Sequence, residues 1–333
     1  MVLSRKTGTL AALVATGMLA VAMLQLKSGT RAASHGEPDL DPVTSAEPAT
    51  QAPRVSVAAA KAYAEQRSAD ALSLIALGRA TGDPSWLQRA LAEHPEDPRV
   101  QLERWTQAKG PEEKLAAARA LQQAAPDNPL GAYLEASQAF TNGDLGAVAR
   151  LMVDAEAARS YDAYTLDILL ETDAAYRAGG LDAMQSWAAA MGSCNTRTLS
   201  ELRQLGDDMG ELQHVFVEMG YWDEADFMFE RTLALGEQLE DSAIAVERLS
   251  GLTLQAKLLG SFDPETVISD DGTRAGLRLT ELHVASNEYI AAAQVGDWQE
   301  KARSLDAAGW EQFRTIFQRD GELAALHWLS KRK

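Results

Sequence analysis

The sequence predicts an all-α fold, and three observations carry that prediction. Alanine and leucine recur throughout a chain that is 46% hydrophobic and 6% aromatic, and runs of β-branched residues are scarce, which favours helix over sheet. Proline pairs stand at 95 and 98 in "HPEDPRV" and at 126 and 129 in "APDNPLG", so one helix-ending and helix-starting signal recurs after 31 residues. Between these marks, Gly82-Asp83-Pro84, Gly110-Pro111 and Asn142-Gly143-Asp144 each place a glycine where one helix closes and an aspartate or proline where the next opens. At 333 residues the chain can bury a sizeable core in one or two domains.

The first segment, residues 1–33, holds Arg5, Lys6, Lys27 and Arg31 and no acid. From Gly8 to Leu26 no residue is charged, and these nineteen residues as a helix would measure roughly 28 Å, close to a bilayer core. The length of the run and Lys27 directly after it point to an uncleaved membrane anchor. A basic start, an apolar run and Ala32-Ala33 also fit an export signal. No cysteine lies nearby, which excludes a bacterial lipoprotein anchor. An anchor ahead of a large acidic domain predicts a membrane-attached protein whose soluble part is periplasmic or otherwise extracytoplasmic.

Residues 34–55 are rich in Pro, Ala, Ser, Thr and Glu and poor in large apolar residues, a composition read as a disordered linker. Past residue 33 the net charge changes from −17 to −21, because the leader contributes four cations and no anion. Phosphate backbones are repelled by such a body, so no nucleic-acid partner is expected, and a partner with a basic segment is favoured. Cys194 is the single cysteine, so no internal disulfide can form.

Residues 56–260 read as successive helix-turn-helix units. Asp97 and Asn128 stand where N-caps belong, and Asn142-Gly143-Asp144 marks the turn inside one unit. In "MGELQHVFVEMGYWDEADFMFERTLALGEQ" the order Leu212, Phe216, Gly220, Ala225, Phe229 puts an aromatic four after a leucine, then a glycine turn, then a small residue with an aromatic four after it. This order resembles the tetratricopeptide repeat family, whose units are paired helices of about 34 residues. Met209, Gln213, Thr232 and Glu237 replace the family's tryptophan, glycine, alanine and proline, so the match is degenerate. The resemblance implies a right-handed α-α superhelix with a concave binding face, and scaffolding or assembly work.

Residues 261–333 leave that rhythm. A turn at Asp271-Gly272 precedes a longer helix, a second turn is expected at Gly296-Asp297, and Trp310, Phe313 and Phe317 fall on one helical face, as a C-terminal cap on a helical stack requires.

No constellation of chemical residues rises above its structural alternative. Glu211, His214 and Glu218 share a helix face, opposite the apolar Leu212, Val215, Phe216 and Met219, as an ordinary solvated face does. Glu281 and His283 point apart on a helix, His94 falls in a turn expected to be solvated, and His327 falls in a last helical turn. "MGSCN" around Cys194 lacks the companions of a thiol nucleophile, and Gly179-Gly180 is a helix junction without a phosphate-loop lysine. Asp207-Asp208 and Asp270-Asp271 suit turns and caps. No catalytic, cofactor or metal residue is therefore expected.

Most of the seven tryptophans (86, 105, 187, 222, 298, 310, 328) are expected to wedge between helices. Trp222, directly after the Gly220-Tyr221 turn, is the candidate for exposure, and Tyr221 with Trp222 is the candidate partner-binding pair. The reading that follows is a membrane-tethered scaffold that binds a protein or peptide. Its alternatives are an envelope enzyme whose helices surround a catalytic carboxylate, acting on peptidoglycan or another glycan, and an accessory subunit without a ligand groove. A carboxylate buried in a cleft with a raised pKa would favour the enzyme.

Overall fold

The computed structural model describes residues 54–158, 160–269, 271–293 and 298–332. The expected anchor at residues 1–33, nearly all of the expected linker at 34–55 and the turn expected at Gly296-Asp297 lie outside the described residues. Among the described residues, no helix is long and apolar enough to cross a membrane.

The described chain is all-α. Fifteen helices follow one another: α1 (Val57–Gln66), α2 (Ala71–Thr81), α3 (Ser85–Glu93), α4 (Pro98–Gln107), α5 (Pro111–Ala124), α6 (Leu130–Thr141), α7 (Leu145–Ala157), α8 (Thr165–Ala178), α9 (Ala183–Gly192), α10 (Arg197–Met219), α11 (Trp222–Glu240), α12 (Ala245–Leu259), α13 (Ala275–Ala293), α14 (Trp298–Ser304) and α15 (Ala307–Ser330). An isolated antiparallel bridge, Val267 with Arg274, closes the turn before α13.

The predicted punctuation sets these boundaries. Asp97 caps α4 by accepting the Arg99 N–H at 2.9 Å, with Pro98 in the first turn, where its missing N–H costs no helical bond. Asp144 caps α7 by accepting from Ala147 at 2.9 Å, and Gly143 takes the left-handed φ of 73° that reverses the chain ahead of it. Asn128, the expected cap of α6, sits one position before the observed cap, which Pro129 occupies. Its Oδ1 still accepts the Leu130 N–H at 3.1 Å, and its Nδ2 donates to the Asp162 carbonyl at 2.6 Å, tying this turn to the approach to α8.

Consecutive helices pack on one another from α2 to α7 and from α10 to α13. One apolar cluster runs through α4–α7 and into α10 and α11, and it contains Leu212, Phe216 and Ala225, three of the positions that carry the tetratricopeptide resemblance. Where α11 crosses α12, a Cβ on Gly251 would stand 2.4 Å from the Gly236 carbonyl, so the backbones approach as only glycine permits.

Packings between helices distant in the chain depart from nearest-neighbour stacking. Helix α2 packs on α8, and α6 packs on α10. Helix α8 is accordingly buried on nearly every side, including its polar Glu171, Thr172 and Asp173. Glu171 accepts from the Tyr63 hydroxyl at 2.6 Å and from Arg67 Nε at 2.8 Å, which fastens α1 to α8. The aromatic face of α15 returns to the same hub. Phe313 and Phe317 meet Trp187 of α9 edge to face, with centroids 5.4 and 4.9 Å apart, and burying a side chain of this size stabilises by about 2 kcal/mol. Helix α15 is broken by Gly321 (φ 85°, ψ 176°), and beyond that kink the Glu322 N–H donates to the Ala243 carbonyl at 2.9 Å.

Candidate functional site

Three places gather the candidate chemistry. The first is the α10–α11 turn. Gly220, in the left-handed region at φ 77°, closes α10, and the Tyr221 N–H donates back to the Phe216 carbonyl at 2.9 Å. The Tyr221 ring then packs edge to face on Phe216, with centroids 6.4 Å apart. Tyr221 is thus half-buried and braces the turn, and the next residue, Trp222, projects outward with 62% of its surface exposed. Exposed carboxylates flank it: Glu218 in the last turn of α10, Asp223 beside it, and Asp226 one helical turn further along α11. An amphipathic aromatic amid anions can stack on apolar surface while the carboxylates attract a cation.

The second place is a cleft of about 1030 Å³ at the start of the described chain, between α1, the α1–α2 turn and the start of α3. Trp86 lines it and is half-buried, Val57 lines it and is exposed, and Arg54, Lys61 and Arg89 stand among its charged residues with Glu65 and Asp83. Sequence reading missed this cleft. Trp86 follows Gly82-Asp83-Pro84 by two residues, and that position beside a turn was the available signal.

The third is a small, partly open cavity of about 30 Å³, whose lining includes Arg79, Thr106, Tyr161, Thr165, Asn195, Thr198 and Glu247. Glu247, 6% exposed, accepts from the Thr165 hydroxyl at 2.5 Å and the Ser242 hydroxyl at 2.6 Å. Burial holds its carboxyl above the usual glutamate range, with the Asp162 charge adding to the shift and the two hydroxyl bonds opposing it. Arg79, the cation in this cavity wall, is held by Glu103 at 2.7 Å. Glu247 in sequence is simply an acid in the first turn of a helix, which is why it drew no notice. A cavity of this size holds about two water molecules.

The histidines and the thiol fall elsewhere. Glu211, His214 and Glu218 are exposed on α10, Glu281 and His283 are exposed on α13, and His327 is in the last turn of α15. Among the described residues, no group of three His, Cys, Asp or Glu side chains is placed to hold a metal ion. His94 corrects the expectation of a solvated turn: it is half-buried with Nε2 2.9 Å from the Ala69 carbonyl. Since a carbonyl only accepts, that nitrogen carries the proton. Cys194 lies half-buried in the α9–α10 connection, and burial raises its thiol above the ordinary value, opposite to an activated nucleophile. Of the other tryptophans, 105, 187 and 310 are buried and 328 is half-buried.

No protein-family model, curated protein or solved structure matches the chain.

Proposed function

We propose that this chain is a membrane-tethered, tetratricopeptide-like scaffold of the cell envelope, whose right-handed helical superhelix binds a protein or peptide partner carrying a basic segment. The exposure of Trp222, fixed outward by the Phe216–Tyr221 brace among Glu218, Asp223 and Asp226, is the observation that carries this reading. Aromatic side chains concentrate binding energy at interfaces, and a net charge of −17 draws a cationic partner at long range. The apolar run at residues 8–26 serves as the tether and residues 34–55 as the spacer.

The test is binding of the purified chain to a library of basic peptides, read at two ionic strengths. For the tightest peptide, Trp222→Ala weakens affinity roughly thirty-fold, the equivalent of about 2 kcal/mol, and added salt weakens it further. Binding that ignores both changes would overturn the reading.

Glu247 favours the enzyme alternative, since it is a buried carboxylate with a raised pKa in a cavity. Against it stand the cavity's size, which admits water and no sugar ring, and the two hydroxyls that already engage the carboxylate. Release of soluble fragments from peptidoglycan by the native chain, abolished in Glu247→Gln, would establish that alternative.

A further inference from the structure

Glu247 and Glu322 both bond the Asp241–Ala245 turn, at different residues of it. Glu247 accepts the Ser242 hydroxyl of the turn, and Glu322 accepts the Ala245 N–H at 2.8 Å while its own N–H bonds Ala243. Among the described residues, the hydrogen-bond donors recorded on both carboxylates are neutral. Glu322 directly follows Gly321, whose φ of 85° and ψ of 176° break α15 into two rods. The short rod beyond the break is held by Ala325 and Leu329, both buried in the cluster against which Cys194 packs.

We propose that the end of α15 is a pH-dependent latch: with Glu247 and Glu322 neutral, residues 322–330 stay docked on the turn, and ionisation of the pair releases them about Gly321. Each carboxyl is held above the ordinary range, first by burial, and the charge of Glu247 adds to the rise at Glu322, so charging one opposes charging the other. The groups facing them do not neutralise the pair. Arg79 of α2 is engaged by Glu103, Asp162 ahead of α8 adds negative charge, and Arg248 of α12 lies over the Tyr289 ring of α13, 5.3 Å from its centroid. Tyr161, Tyr289 and Cys194 complete the titratable surroundings, each raised by its own burial and neutral near pH 7. One buried and one half-buried anion without a committed cation favour a state in which water reaches both fully, and the glycine break supplies the hinge.

Hydrogen exchange of the full chain tests this. Corrected for the intrinsic rate, exchange of amides 322–332 is expected to speed several-fold between about pH 5 and about pH 8, and to slow again on return. Glu322→Gln keeps an acceptor for Ala245 and removes the charge, so its exchange stays slow across the range, and Glu247→Gln halves the response at least. Cys194 gives a second readout: the labelling rate of the wild-type thiol relative to Glu322→Gln rises with pH, against the direct effect of the Glu322 charge, which raises the thiol and alone would lower the ratio. Flat wild-type protection, or a full wild-type pH response retained in both glutamine variants, overturns the latch.

Discussion

Asp173 and Arg314, 141 residues apart in the chain, are joined in the interior. Arg314 Nε donates to Asp173 Oδ2 at 2.7 Å and Nη2 donates to Oδ1 at 3.2 Å, with the Asp173 side chain fully buried. Ser186 of α9 donates to the same carboxylate at 2.6 Å, and Arg177 stands 3.1 Å away one turn along α8. Helices α8, α9 and α15 thus meet at one charge, which fixes where the C-terminal helix returns. Directional bonds of this kind select one docking angle where an apolar face alone tolerates several.

Removing either partner leaves the other charge buried. Asp173→Ala or Arg314→Ala is expected to cost about 3–5 kcal/mol, whereas the apolar pair Asp173→Leu with Arg314→Met costs less than either single change. Urea denaturation of the three variants measures this, and a double variant that loses as much as either single change would show that the unpaired buried charge is not what costs stability.

Gly321 occupies a backbone region that other residues avoid, at φ 85° and ψ 176°. A Cβ there would also stand 3.1 Å from the Ala243 carbonyl. Gly321→Ala is expected to lower stability by about 1–3 kcal/mol, read as a lower melting temperature with the secondary structure of the remaining helices retained. An unchanged melting temperature would mean that the break is not required by the fold.

The elements of this fold were legible where backbone chemistry writes them. Pro98, Gly143 and Asp144 mark boundaries that the structure keeps, because a missing N–H, a positive φ and a side-chain acceptor act over three or four residues. The attachment of α1 and α15 to α8 was not legible. It depends on Glu171 and Asp173, acids whose partners Tyr63, Arg67 and Arg314 lie far along the chain. The aromatic face of α15 was visible as Trp310, Phe313 and Phe317, but its partner Trp187 was not, since periodicity reports that a face is buried and never against what. Glu247 escaped notice for the reason that hid Asp173, and Trp222 was recognised because its position just after a glycine turn limits how deeply it can pack.

Trp222 and Trp105 separate binding from stability. Trp105 is fully buried with Lys114 over its ring at 5.0 Å, so Trp105→Ala is expected to cost about 3–5 kcal/mol. Trp222, 62% exposed, is expected to change stability by less than about 0.5 kcal/mol when cut to alanine. Denaturation midpoints compare the two. A large loss at Trp222 would assign it a packing role and remove it as a docking residue.

Asp97 and Glu247 make stability depend on pH with opposite signs. Burial works against the charge of Asp97, but the guanidinium and backbone N–H of Arg99 outweigh it and leave the carboxyl below the ordinary aspartate range. Its unfolded form therefore binds the proton first as pH falls, so its contribution is complete above the unfolded value and lost as pH falls through the folded one. Glu247 is held above the ordinary range, so between its unfolded and folded values the folded state carries the extra proton. Its contribution is complete below the unfolded value and lost as pH rises through the folded one. Asp97→Asn should flatten the acid limb of a stability profile measured from about pH 3 to about pH 8, and Glu247→Gln should flatten the fall above the ordinary glutamate range. Each substitution should leave the other limb in place, because the two carboxylates sit in separate networks, one in the cap of α4 and one at the start of α12. A single substitution that removed both slopes would mean instead that the pH dependence comes from the net charge of the whole acidic body.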